Sequence, residues 1–170
     1  MNELIPMYRE MAARGFNLHG LSIVQYADQI GLMVIETGAR TLLDFGCGRG
    51  DAYEEPHEIH RKWGVDKPFL YDPAFPTHDV LPPDGVSFDG VICSDVLEHV
   101  PQRDVVALVH QLFELSHGFV WASVCCRSAK KVFPDGRNLH VTIKPIDWWR
   151  RVFVECAGAR KADWHLVETP

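Results

Sequence analysis

The sequence predicts an α/β domain built on a mostly parallel central sheet, and three observations carry that prediction. Short apolar runs at 41–45, 68–72, 88–94, 118–125 and 163–167 have strand length, and stretches with helical apolar spacing separate several of them. The first run ends in Asp44-Phe45-Gly46-Cys47-Gly48-Arg49-Gly50-Asp51, a strand feeding a loop with glycine at alternate positions. No internal repeat or low-complexity block breaks the alternation.

The chain has 170 residues, enough for one domain that buries roughly two-thirds of its unfolded surface. The expected division is an N-terminal segment or lid over 1–20 and a single domain over 21–170. Apolar residues make up 46% and charged residues 24%, the balance of a soluble globular protein. No run reaches membrane-helix length, and an N-terminus carrying Glu3, Pro6 and Arg9 lacks the apolar core of a signal peptide. The expected location is the cytoplasm, with no membrane partner. A formal net charge of −6 speaks against a nucleic acid partner without removing it as an alternative. The densest basic stretch, Arg127, Lys130, Lys131 and Arg137, reads as a solvated loop. The five cysteines form neither a Cys-x-x-Cys pair nor a zinc spacing, and read as reduced packing residues.

Residues 1–20 are expected to form a helix and turn that covers the ligand site. Leu21 to Thr37 carries a helical stripe, Ile23, Val24, Ala27, Ile30 and Val34, with Ser22 as N-cap and Gly38 as stop. Thr41 to Phe45 is the first strand. In the loop after it, residues without a β-carbon let the backbone turn sharply beneath a ligand. A dinucleotide loop wants Gly-x-Gly-x-x-Gly, and Asp51 stands where the third glycine would be. A carboxylate at a helix start would repel a bound phosphate while itself using the positive helix end. The loop therefore favours a ligand without phosphate, and Asp44 suits a cationic or amino-bearing one.

Asp51 to Trp63 is polar and interrupted by Pro56, so any helix there is short. Pro68 to Asp72 is the second strand. Pro73 to Gly85 contains four prolines and holds no normal helix. Phe88 to Ser94 is a buried strand, and Pro101 opens a helix with Val105, Leu108, Val109, Leu112 and Leu115 on its apolar face. Gly118 to Cys125 is the next strand. A long loop from Cys126 to Leu139 carries the turn Phe133-Pro134-Asp135-Gly136. Pro145 opens a helix with Trp148, Trp149, Val152, Phe153 and Cys156. Gly158 ends that helix, and Asp163 to Val167 is the last strand.

The stretch Thr41 to Asp51 closely resembles motif I of the class I S-adenosylmethionine-dependent methyltransferases. Phe88-Asp-Gly-Val91 followed by Asp95-Val-Leu-Glu-His-Val100 resembles their motif IV region. The resemblance spans roughly Leu21 to Val167. It implies a Rossmann-like three-layer sandwich, trimmed relative to the usual seven strands, with the final antiparallel strand missing or moved to His140–Ile143. It implies S-adenosylmethionine as cofactor and S-adenosylhomocysteine as product, held by Asp44, Gly46, Cys47, Gly48, Gly50, Asp72 and Asp95. Asp72 is the candidate for the ribose, because a carboxylate at a neighbouring strand's C-terminal end can accept both hydroxyl protons. Asp66, in Gly64-Val65-Asp66, is the rival that the strand placement disfavours.

Methyl transfer from a sulfonium asks the protein for alignment and exclusion of water, and for a base only with some nucleophiles. Asp95, Glu98 and His99 fall at i, i+3 and i+4 and would share one helical face. One reading makes Asp95 an N-cap with Glu98 as its capping-box partner. A second makes Asp95, Glu98 and His99 ligands of a divalent metal, as in some methyltransferases of quinone precursors or RNA ends. A third brings Asp95 to the substrate or cofactor and makes His99 a base. His140, with Asn138, Trp148 and Trp149, makes a polar and aromatic set suited to a small acceptor. The catalytic candidates are therefore Asp95, His99 and His140. His57, His60 and His78 lack a compact ligand motif and read as solvated. Ser94-Asp95-Val96-Leu97 matches neither motif of the DNA base methyltransferases. The expected function is methyl transfer to a small-molecule acceptor. The alternatives are a cofactor-binding module without transferase activity, and a methyltransferase acting on a nucleic acid or protein. A missing final strand would leave a sheet edge that a homodimer could cover.

Overall fold

The computed structural model describes residues 4–16, 18–158 and 162–170. Five strands, β1 (Leu42–Phe45), β2 (Phe69–Tyr71), β3 (Phe88–Ser94), β4 (Ser116–Val124) and β5 (Asp163–Glu168), form one sheet. Their order is β2-β1-β3-β4-β5 and every neighbouring pair is parallel. The helices are α1 (Ile5–Ala13), α2 (Ala27–Thr37), α3 (Ile59–Trp63), α4 (Gln102–Glu114) and α5 (Ile146–Ala157). Among the described residues no helix is long and apolar enough to cross a membrane.

The strands alternate their side chains between two apolar layers, as a sheet covered on both faces must. Leu43, Val91, Cys93, Val120, Ala122 and Val124 pack with Val105, Val109 and Leu112 of α4 and Trp149, Val152 and Phe153 of α5. Leu42, Ile92, Phe119 and Trp121 face the other way, onto Ala27, Ile30 and Val34 of α2 and Ile59 and Trp63 of α3. This is the Rossmann-like three-layer sandwich, trimmed to five strands. A third, smaller cluster joins Leu4 and Met11 of the N-terminal segment to Phe133 and Leu139 of the long loop.

Local chemistry moves several boundaries. The stripe from Leu21 begins as a 3-10 turn, Ser22–Tyr26, before α2, and no side chain caps it. The Ser22 hydroxyl instead meets that of Ser94 at 3.3 Å. Gly38 ends α2 with φ +68°, the left-handed stop its position requires. Asp51 opens only a three-residue 3-10 turn, Asp51–Tyr53, so it has no helix dipole to use. Its carboxylate binds Arg49 and His19 instead. The antiparallel strand expected at His140–Ile143 is absent. The Thr142 amide donates to the Glu98 carbonyl (3.0 Å) and its hydroxyl to that of Val100 (2.6 Å), so this segment pairs with a turn and not with a strand edge. Trp149 is fully buried in the core against α4, which accounts for one tryptophan of the expected acceptor set.

Strand order positions the site. The chain leaves β1 for β2 on one side and later returns to β3 on the other, so a crevice opens at the C-terminal ends of β1 and β3. In parallel α/β sheets with this order, ligands bind at that switch point.

Candidate active site

The crevice is lined on one side by the loop after β1. Gly46 and Gly48 have φ +93° and +59°. A β-carbon on Gly46 would lie 2.2 Å from Cγ2 of Val96, which stands just past the end of β3. One on Gly48 would lie 2.5 Å from the Leu18 carbonyl oxygen. The loop is thus pressed between the β3 turn and the segment Leu18–Gly20, which lies over it through Arg49 N–H to Leu18 O (3.2 Å) and Asp51 N–H to His19 O (3.3 Å). Gly20 matters equally, since a β-carbon there would meet the Cys47 carbonyl at 1.9 Å.

Asp72 faces the loop from the end of β2. Its Oδ2 accepts the Gly48 amide (2.9 Å) and its Oδ1 the Ala74 amide (2.8 Å). Burial raises its pKa, and those two N–H groups oppose the rise. Each oxygen keeps a lone pair beyond its N–H partner. Asp66 is exposed and lies outside this arrangement. Asp44 sits beneath the loop, buried, with its Oδ2 accepting the Tyr53 hydroxyl at 2.9 Å. Burial pushes its carboxyl up to about 7, against the Tyr53 hydrogen bond and with the Asp72 charge. Cys47 and Gly50 are buried in the loop and, like Asp44, do not line the cavity.

From β3, Asp95 turns through the left-handed region at φ +53°, a conformation Asp tolerates better than most residues. Its amide donates to the Ser123 hydroxyl (3.1 Å), and its Oδ1 accepts the hydroxyls of Ser123 (2.9 Å) and Thr169. Asp95 is therefore no helix cap. The 3-10 turn Leu97–His99 has no side-chain cap, and Glu98 turns inward, where its Oε1 accepts the Cys125 amide at 2.9 Å. Burial, then the Asp95 charge, raises the Glu98 carboxyl to about 8. Burial and the facing His140 lower His99 to about 4, keeping it neutral.

These parts enclose one cavity of about 710 Å³. Its wall runs from Gly46, Gly48 and Asp72 past Ser94, Asp95 and His99 to Val100, Ala107, Leu108 and Gln111 on the α4 side. Ile5 and Tyr8 of α1 close it, the Tyr8 hydroxyl lying 2.8 Å from His99 Nδ1 and donating to the Leu139 carbonyl at 3.1 Å. Beyond β2 the lining is Pro73, Ala74 and Phe75. Asp79 is engaged elsewhere, by Arg9 at 3.0 Å.

A family model described as a methyltransferase domain matches residues 23–153, most of the chain and both sides of this crevice. The chain belongs to the class I S-adenosylmethionine-dependent methyltransferase family. Comparison with curated proteins and with solved structures gave no match.

In this methyltransferase domain the structure brings Gly46, Gly48, Asp72, Asp95 and His99 to one cavity and leaves His140 off its wall. The His140 ring stands edge-on to that of His99, centroids 4.9 Å apart. Trp148 and Asn138 do not reach the cavity either; Asn138 is tied to both backbone groups of Ala129, at 2.9 Å each. Tyr8 and Gly20 carried no recognisable signal in the sequence, because their places depend on contacts with residues far along the chain.

Proposed function

We propose that this methyltransferase domain binds S-adenosylmethionine at the β1/β3 crevice and transfers its methyl group to a small-molecule acceptor. The observation that carries the reading is the continuity of one cavity, about 710 Å³, from the glycine loop and Asp72 to the α4 wall. That volume suits one or two small molecules and not a folded partner. The residues fit this cofactor: the loop holds an acid, Asp51, where a phosphate site would hold none, and Asp72 offers two carboxylate oxygens. When bound, the cofactor supplies a methyl group on a sulfonium whose thioether leaves without help from an acid.

The chain's own residues do the rest. Asp72 takes the ribose hydroxyls, and Gly46 and Gly48 let the ligand approach the backbone. Asp95, fixed by Ser123 and Thr169, and His99, held neutral, face the acceptor end. The N-terminal segment acts as a lid through Ile5, Tyr8 and the stretch Leu18–Gly20, and excludes water.

Calorimetry tests the reading. One equivalent of S-adenosylmethionine and one of S-adenosylhomocysteine are expected to bind. Asp72→Ala should weaken both roughly 10- to 100-fold, the loss of one or two hydrogen bonds to a charged group. Failure of both ligands to bind, or unchanged affinity in Asp72→Ala, refutes it. The trimmed sheet favours a second reading, a cofactor-binding module without turnover. Release of S-adenosylhomocysteine with any acceptor rejects that one.

A further inference from the structure

Among the described residues, the one group of three close enough to chelate an ion is Glu98, His99 and His140, whose donor atoms lie within 4.8 Å of one another. It differs from the trio expected of the sequence. Asp95 is turned away to Ser123 and Thr169, and His140 arrives from the long loop instead.

Three further observations point to a ligand. Glu98 is fully buried, and its Oε2 has no hydrogen-bond partner, an uncompensated polar atom that costs roughly 1–3 kcal/mol. His99 Nδ1 lies 3.0 Å from the Leu139 carbonyl, and His140 Nδ1 lies 2.5 Å from the Arg127 carbonyl. A carbonyl only accepts, so His140 carries its proton on Nδ1 and keeps the Nε2 lone pair; at His99 the same tautomer serves both the Leu139 carbonyl and the Tyr8 hydroxyl oxygen, 2.8 Å away, which itself donates to Leu139. Histidines that bind metals are oriented in this way, by a backbone carbonyl at the other nitrogen. Finally, the His140 segment is pinned in place. Thr142 bonds the carbonyls of Glu98 and Val100, and the His140 amide donates to Asn138 Oδ1 at 2.9 Å.

We propose that Glu98, His99 and His140 bind one divalent transition-metal ion at the acceptor end of the cavity. Two imidazoles and one carboxylate select zinc, iron, cobalt or manganese over magnesium and calcium, which take oxygen ligands. Three protein ligands leave positions open, and His99 places them at the cavity wall. An oxygen or nitrogen atom of the acceptor completes the coordination. That last step rests on the methyltransferase reading, and the metal site does not.

The test uses untagged, chelator-stripped protein titrated with Co²⁺, followed by calorimetry and visible absorption. One Co²⁺ per chain is expected, displaced by Zn²⁺ and unaffected by millimolar Mg²⁺. His140→Ala, which removes a ligand, should lose at least about 100-fold; Asn138→Ala, which frees the His140 backbone amide and so the segment that aims the ring, should lose about 10-fold, the low end of what orienting partners of metal-binding histidines are worth. His165→Ala, on an exposed position of β5, should change nothing. His140 lies on a partly exposed loop, so its variant is expected to keep its circular dichroism spectrum and remain interpretable if Glu98→Gln fails to fold. No Co²⁺ binding by the folded protein, or wild-type affinity in His140→Ala, overturns the proposal. S-adenosylhomocysteine titrated into the same stripped protein separates the two readings. Its binding without Co²⁺ binding removes the metal alone, and the reverse removes the cofactor alone.

Discussion

Replacing Gly46 by alanine tests whether the crevice is as tight as its geometry says. The new methyl would lie 2.2 Å from Val96 Cγ2 and 3.1 Å from Cγ1, on a backbone at φ +93°. The left-handed conformation costs a residue with a β-carbon about 1–2 kcal/mol. Overpacking costs about 1–3 kcal/mol more. The sum, about 2–5 kcal/mol, corresponds to a fall in Tm of roughly 5–15 °C for a domain of this size. Chemical denaturation of Gly46→Ala, Val96→Ala and the double variant separates the two causes. Removing both γ-carbons leaves Val96 Cβ at 3.2 Å, a contact small shifts relieve. The double variant should therefore be about 1–3 kcal/mol more stable than the sum of the singles predicts, while the conformational cost persists. Strict additivity would show that Val96 does not press on the loop and refute the reasoning.

Two further expectations follow from side chains around the site. The Asp44 carboxyl, raised to about 7 by burial beside Tyr53, Cys47 and Asp72, is neutral in the fold and ionised in the unfolded chain between pH 4 and 7. Its contribution is thus present at low pH and declines as pH rises to 7, by at most about 4 kcal/mol. Asp44→Asn should remove that part of the slope, and parallel stability curves for the two proteins would contradict it. Arg9 holds α1 against the Pro73 carbonyl (2.8 Å) and Asp79 (3.0 Å), both exposed contacts. Arg9→Ala should cost under about 1 kcal/mol of global stability. It should nevertheless speed proteolytic cleavage near residues 5–16, and S-adenosylhomocysteine should suppress that cleavage; equal cleavage rates would argue against a lid.

The strands, both helical layers and the glycine loop were legible because each rests on local pattern, an apolar run or a helical stripe. Asp72 was legible because strand ends and glycine loops have a fixed relation in parallel sheets. The neighbourhood of Glu98 was not. Asp95-x-x-Glu98-His99 reads as one helical face, yet Asp95 takes a left-handed turn and Glu98 swings in to the Cys125 amide, a partner just past the end of β4. His140-Val-Thr-Ile143 has a strand's composition, but composition cannot say that Thr142 finds its partners in the turn after β3. The meeting of His99 with His140 depends on that attachment together with the hold of Asn138 and the Arg127 carbonyl on His140, all contacts that composition does not show.

The strand order also governs how the chain can reach this state. No two neighbouring strands are joined by a hairpin: Leu43 is in register with Phe69 on one side and Val91 on the other, and Val120 with Trp164. Each pairing must close a long loop before any ladder rewards it, and parallel pairing admits no shorter route. The sheet therefore assembles late and as a unit, at the slow end for a domain of this length. β4 is buried between two neighbours in the finished molecule, and its apolar faces gain full cover only when both parallel pairings are made. Lengthening the connecting segments is therefore expected to slow refolding, followed by stopped-flow fluorescence, more than it lowers final stability.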